Sequence, residues 1–141
     1  MKVMVTQESF DVNRAIELIS NPESGAYVVF LGKVRAHNRG RKVERLIYEV
    51  YGEMAVSEMA KIREEALRKF PIFDAVIWHR YGDLPVGEDT ILVVVSSAHR
   101  KEAFEACSWI VDEVKRRVPV WKKEVTEEGE FWIEGDRVVR G

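Results

Sequence analysis

The chain has 141 residues, 46% of them hydrophobic, and its 22 Lys and Arg against 24 Asp and Glu give a formal net charge of −2. That length and apolar content suit one domain over residues 1–141, and a pI near 6.0 argues against an extended nucleic-acid footprint, which makes a domain strongly basic. One cysteine excludes an intrachain disulfide and suits a reducing cytoplasm, and since no signal peptide and no apolar run of about 18 residues is visible, neither export nor a membrane span is expected.

Residues 3–6 read as an edge strand. Asp11 is the expected N-cap of a short helix whose buried stripe is Val12, Ala15, Ile16 and Ile19. Residues 21–25 form a loop, and a strand-like run then leads to Arg35. Alternation puts Lys33 and Arg35 on one face and Val34 on the other. Residues 33–42 contain no acidic side chain; residues 38–40 read as a loop tip, and Arg39, Arg41 and Lys42 as its solvated basic residues. A strand over 43–51 precedes a helix over 53–70 that ends at Pro71, with Ala55, Met59, Ile62 and Ala66 inward. Both Met54 and Met59 are expected in the core. Strands over 75–81 and 90–97 are expected to pair antiparallel across the Gly82 to Gly87 connection. In the second of these, residues 91–95 are β-branched at four of five positions, the mark of a buried strand.

After that strand, Ala103, Cys107, Ile110 and Val114 recur at helical spacing, so His99 and Arg100 stand at a helix N-terminus. Unpaired N–H groups and the positive end of the helix dipole favour an anion there, and the imidazole and guanidinium make phosphate or carboxylate the expected ligand. Pro119 ends the helix near Val118, and a strand returns over 120–125 with Lys122 and Lys123 on opposite faces. A tight reversal at Pro119 brings Lys115, in the last helical turn, toward Lys122. Two close ammonium groups lower each other's pKa, and burial adds to the effect, so such a lysine can move protons or act as a nucleophile near neutral pH. The competing reading is that Lys115, Arg116 and Arg117 only complement the helix dipole. His79, inside a strand, reads as packed or paired. His37 is a loop residue within possible reach of a ligand. Trp109, Trp121 and Trp132 read as core or interface, with Trp121 a candidate for the pocket wall because it precedes Lys122. Cys107 lies on the apolar stripe and reads as core, and three scattered histidines with one cysteine make no metal site.

Three segments carry a resemblance: residues 32–38 (GKVRAHN), residues 97–106 (SAHRKEAFEA) and residues 119–124 (PVWKKE). In this order and spacing the chain closely resembles the large, catalytic subunits of molybdopterin synthase, over nearly its whole length. The runs of strand with two main helices suggest an α+β sandwich, mostly antiparallel, with the helices packed on one sheet face, and the resemblance implies the single-domain α/β-hammerhead-type variant of this plan. It implies a sulfurtransferase of molybdenum cofactor biosynthesis that moves sulfur from the C-terminal Gly-Gly thiocarboxylate of a small ubiquitin-like subunit onto cyclic pyranopterin monophosphate. The implied catalytic residues are Lys115 and Lys122. The implied substrate-binding residues are Lys33, Val34, Arg35, His99, Arg100, Lys115, Lys122, Lys123 and Glu124, with Arg35, His99 and Arg100 on the phosphate. No metal, cofactor, nucleic acid or membrane is implied. The implied assembly is a homodimer of large subunits with a small subunit at each end, a heterotetramer in the cytoplasm. Arg137 and Arg140 are candidates for reaching a neighbouring protomer. An anion- or RNA-binding module, supported by the basic segment 33–42, and a subunit that only docks a ubiquitin-like tail remain the alternatives.

Overall fold

The computed structural model describes residues 1–134 and 137–140. In chain order the elements are β1 (Val3–Thr6), α1 (Val12–Leu18), β2 (Ala26–Lys33), β3 (His37–Asn38), β4 (Arg41–Val50), α2 (Gly52–Lys69), β5 (Ile72–Arg80), β6 (Gly82–Pro85), β7 (Asp89–Ser97), α3 (Arg100–Arg117), β8 (Val120–Thr126), β9 (Gly129–Glu134) and β10 (Arg137–Arg140). One sheet runs β1-β5-β7-β2 and the other β10-β9-β8-β4-β3, with β6 also on β4. Only the β1·β5 pair is parallel among the described strands. This is the expected α+β plan, mostly antiparallel with two long helices.

The apolar run of β7 is continuous because both faces of its sheet are covered. Ile91, Val93 and Val95 meet Met59 and Ile62 of α2 and Ala103, Cys107, Ile110 and Val114 of α3. Leu92 and Val94 face the other way, toward Ala15 and Ile19. The two main helices thus share one face, as expected, and the short helix α1 covers the other. Its start is capped as read: Asp11 Oδ1 accepts from Arg14 N–H at 3.2 Å. Met59 is fully buried, whereas Met54 is 63% exposed. Met54 falls five positions before Met59, on the opposite side of a helix with 3.6 residues per turn.

The second sheet has its own small core of Val34, Val43, Leu46 and Leu84. Strand β2 stops at Lys33, two residues short of the expected end, with its register broken between Gly32 and Lys33. The expected loop tip is a two-residue hairpin turn, Arg39 and Gly40 at φ +52° and +77°, between β3 and β4. Both central residues in left-handed geometry match the twist of a tight hairpin.

Candidate functional site

Helix α3 starts beside the C-terminal end of β7 and runs back along the sheet, so its last turn returns to the end where β2 finishes and β7 begins. Pro119 has no N–H to continue the helix; Val118 caps it, donating to Val114 O at 3.0 Å, and β8 starts at Val120. Two residues along β8 stands Lys122, half-buried and held between Tyr48 of β4 and Ile133 of β9 in the register of the sheet. Burial lowers the pKa of its ammonium below the ordinary lysine value; Lys115 lowers it further, Glu124 opposes this, and Arg35 adds a smaller lowering effect. Across the Pro119 turn Lys115 thus lies near enough for its charge to act on Lys122, as does that of Arg35.

The three consecutive basic residues of the last turn differ in what they touch. Arg116 binds Glu113 at 2.6 and 3.1 Å. Arg117 bridges Glu58, Glu65 and Glu113 at 3.1, 2.7 and 3.4 Å. Among the described residues Lys115 is in no salt bridge, and its side chain is exposed. Arg116 thus stays on the surface of its own helix, Arg117 ties α3 to α2, and Lys115 is left without a carboxylate partner among the described residues.

His99 and Arg100 occupy the other end of the helix. His99 is the N-cap residue, in extended geometry, and its side chain makes no capping bond; its carbonyl accepts from the buried Ser97 hydroxyl. Both residues are exposed. However, Arg100 and Lys115 lie at opposite ends of one helix, roughly 22 Å apart at 1.5 Å per residue. The strands agree: Ala26 pairs with Ser97 at one end of the β2·β7 ladder and Lys33 with Asp89 at the other. One protomer therefore groups Arg35 with the lysines and leaves His99 and Arg100 apart, so a single phosphate cradle of Arg35, His99 and Arg100 is not built within one chain.

The remaining expected residues have defined places. Lys33 is held by Asp89 at 2.6 Å and by Gly87 O at 3.3 Å. Val34 is 2% exposed, its side chain in the second core, and it shapes the chain before Arg35 rather than facing a ligand. Lys123 points away from Lys122, above the Trp132 ring at 5.3 Å and 3.7 Å from Glu130. Trp121 shares that outer face, packed edge-on against Tyr51, and lines a cleft of about 670 Å³ with Glu49, Val50 and Trp132. Alternation therefore takes it off the Lys122 side, against the expectation that it walls the same pocket. Glu124 is 2% exposed, accepting from Asn38 Nδ2 at 2.7 Å. The side chains of Arg137 and Arg140 lie outside the described residues.

Sequence reasoning missed two neighbours of these residues, Arg41 and Tyr48. Arg41 is not solvated: its guanidinium lies 3.6 Å from Glu124 and 4.1 Å from the Phe131 ring centroid. The usable signal was its place two residues before buried Val43, on the same strand face. Tyr48 and His79 meet edge-to-face at 5.5 Å next to Lys122. His79 is buried, as expected for a packed residue. Cys107 is buried too, its thiol pushed up to about 11, which leaves it inert. Among the described residues no cluster of His, Cys, Asp and Glu could hold a metal ion, and no helix is long and apolar enough to cross a membrane.

A two-sheet α+β domain that sets a half-buried lysine within range of an exposed one and of an arginine is a scaffold suited to an anionic ligand. The comparisons specify the family. Residues 5–117 match the model of the MoaE protein family. The molybdopterin synthase catalytic subunit of Pyrococcus abyssi is 69% identical over 132 residues, spanning 94% of this chain and 89% of that one. The Escherichia coli subunit of the same description is 41% identical over 134 residues, with 94% and 89% covered. A crystal structure of molybdopterin synthase from Staphylococcus aureus superposes with a TM-score of 0.90 at 36% identity, covering 94% of this chain and 97% of the other. The chain belongs to the MoaE protein family and is an enzyme of molybdopterin synthesis.

Proposed function

We propose that Lys115 and Lys122 form the sulfur-transfer site of this enzyme. The donor is the C-terminal thiocarboxylate of a small ubiquitin-like subunit, the acceptor is cyclic pyranopterin monophosphate, and the product carries the molybdopterin dithiolene. The observation that supports this reading is the pairing of a half-buried Lys122 with Lys115 across the Pro119 turn. A thiocarboxylate and a cyclic phosphate are both anionic and repel each other unless cations lie between them. Lys115 supplies that charge from the exposed side. Lys122, with its lowered affinity for a proton, suits proton transfer at the reacting carbon, and opening of the cyclic phosphate adds negative charge that the same pair stabilises.

Arg35 and the helix start at His99 and Arg100 are the anion-binding groups of this reading. Since one helix length separates them within a chain, a pocket that uses all three draws His99 and Arg100 from a second copy. A homodimer of catalytic subunits suits this division of the site, and one small subunit on each gives a heterotetramer. The compartment is the cytoplasm, in keeping with a lone free cysteine.

Incubation with the cyclic pterin phosphate and a thiocarboxylated carrier, followed by detection of the dithiolene product, tests the reading. Product that disappears in both Lys115→Ala and Lys122→Ala proteins supports it. Binding of the carrier tail with no product would identify a docking subunit instead.

A further inference from the structure

Behind Lys122 lies a stack of side chains that reaches from one sheet to the other. Tyr48 and Lys122 are directly opposed across β4 and β8, so their side chains leave the same face with Cβ atoms roughly 5 Å apart. Tyr48 in turn meets the His79 ring edge-to-face, centroids 5.5 Å apart and planes at 71°. His79 is 6% exposed and belongs to β5 of the other sheet. Its Nδ1 is 2.7 Å from the Arg80 carbonyl oxygen. A carbonyl only accepts, so Nδ1 carries the hydrogen, and in the neutral ring Nε2 is left bare. Nothing in the reading of the site above employs this histidine.

We propose that His79 is a positioning residue for Lys122: fixed in one tautomer, it braces Tyr48 and so limits the water that reaches the Lys122 amine from behind. The proposal rests on the assignment of Lys122 to the transfer site. The groups that bear on the amine are Lys115 from α3, Arg35 beyond β2, Glu124 on β8, His79 from β5 and, across the ladder, Tyr48. Tyr48 stays protonated, its hydroxyl pushed up to about 12 by burial against the opposing bond with Thr90. Burial first, and then the charge of Lys122, hold His79 below its ordinary value even though its bond to the Arg80 carbonyl works the other way. A protonated His79 would put a further positive charge among Lys115, Lys122 and Arg35, which explains why the site keeps it neutral.

The test separates positioning from mere support of the fold. Reductive ¹³C-methylation of the lysines, with the Lys122 signal assigned by its loss in Lys122→Arg, reports the titration of that amine by NMR without any turnover. In His79→Ala, water enters behind Tyr48, and the Lys122 midpoint is expected to rise by about 0.5 in pH or more. Sulfur transfer by the two-subunit enzyme should fall roughly tenfold in kcat, with KM for the pterin within about twofold. His79→Phe restores a ring against Tyr48 and should return both readouts most of the way. If His79→Ala does not fold, His79→Gln removes the ring while keeping a donor for the Arg80 carbonyl and is read by the same criteria. A Lys122 midpoint unmoved in the folded variant overturns the proposal, whether or not activity falls. If instead Lys122→Arg itself turns over normally, the assignment of the transfer site fails, while the titration still decides what His79 does to Lys122.

Discussion

Lys115 and Arg116 are consecutive on one helical turn, carry the same charge, and are both exposed, yet Arg116 is tied to Glu113 and Lys115 pairs with no carboxylate among the described residues. Charge alone therefore does not separate their roles; availability does. Lys115→Arg keeps the charge and removes the titratable amine. Its turnover is expected to drop by about 10²-fold or more, with Arg116→Ala within about twofold of the parent, measured as dithiolene formed per minute. Wild-type turnover in Lys115→Arg would reduce Lys115 to a fixed charge. The pairing with Lys122 was legible beforehand, because a proline two residues past a helix end leaves the chain few ways to turn. The burial of Arg41 was not: a basic run reads as solvated until the Glu124 carboxylate and the Phe131 ring, some eighty and ninety residues away, come to rest against it.

The junction where β7 passes into α3 is built on close backbone approach. A Cβ on Gly25 would lie 2.3 Å from the Ala98 carbonyl oxygen, and Gly25 N–H already donates to Ser97 O at 3.0 Å. Gly25→Ala is expected to push the segment before His99 outward and to cost about 1–3 kcal/mol, read as a lower denaturant midpoint at unchanged slope. Gly52, the first residue of α2, has nothing within 4 Å of its would-be Cβ. Gly52→Ala is therefore expected to stabilise by about 0.4–1 kcal/mol, because the substitution restricts only the unfolded chain. An equal loss in both variants would contradict this account of the junction. The long helices and the β5·β7 pair were readable in the sequence from apolar period and turn residues. The placement of α1 on the second sheet face was not, since a seven-residue helix gives a buried stripe but no indication of which face receives it.

At the level of the whole molecule, pH and assembly are the accessible variables. His79 is held below its ordinary value of about 6.5, so as the pH falls through that value the unfolded chain takes a proton that the folded one resists. Stability should therefore begin to decline below about pH 6.5, and His79→Phe should flatten this first limb of the denaturation midpoint against pH. Asp74 adds a second limb at lower pH: burial raises its pKa, but Lys2, Arg63 and the Ala75 N–H together hold it below the ordinary carboxylate range. The stability it contributes is present above that range and is lost as the pH falls through the folded value. Assembly is tested by mixing inactive copies. A dimer of one Lys115→Ala copy and one Arg100→Ala copy has one pocket with both residues intact if the site is shared across the interface, and activity should reappear; pockets confined to single chains would leave the mixture inactive. The last consequence follows from the two lysines having different hosts. Lys115 rides on a helix clamped to the first sheet, and Lys122 sits in the middle of the second. Under the proposed assignment catalysis is a coincidence signal for two separately stacked layers: on gentle heating, product formation should stop before the circular dichroism of the helices fades, because slippage between the layers parts the amines while each layer keeps its own hydrogen bonds.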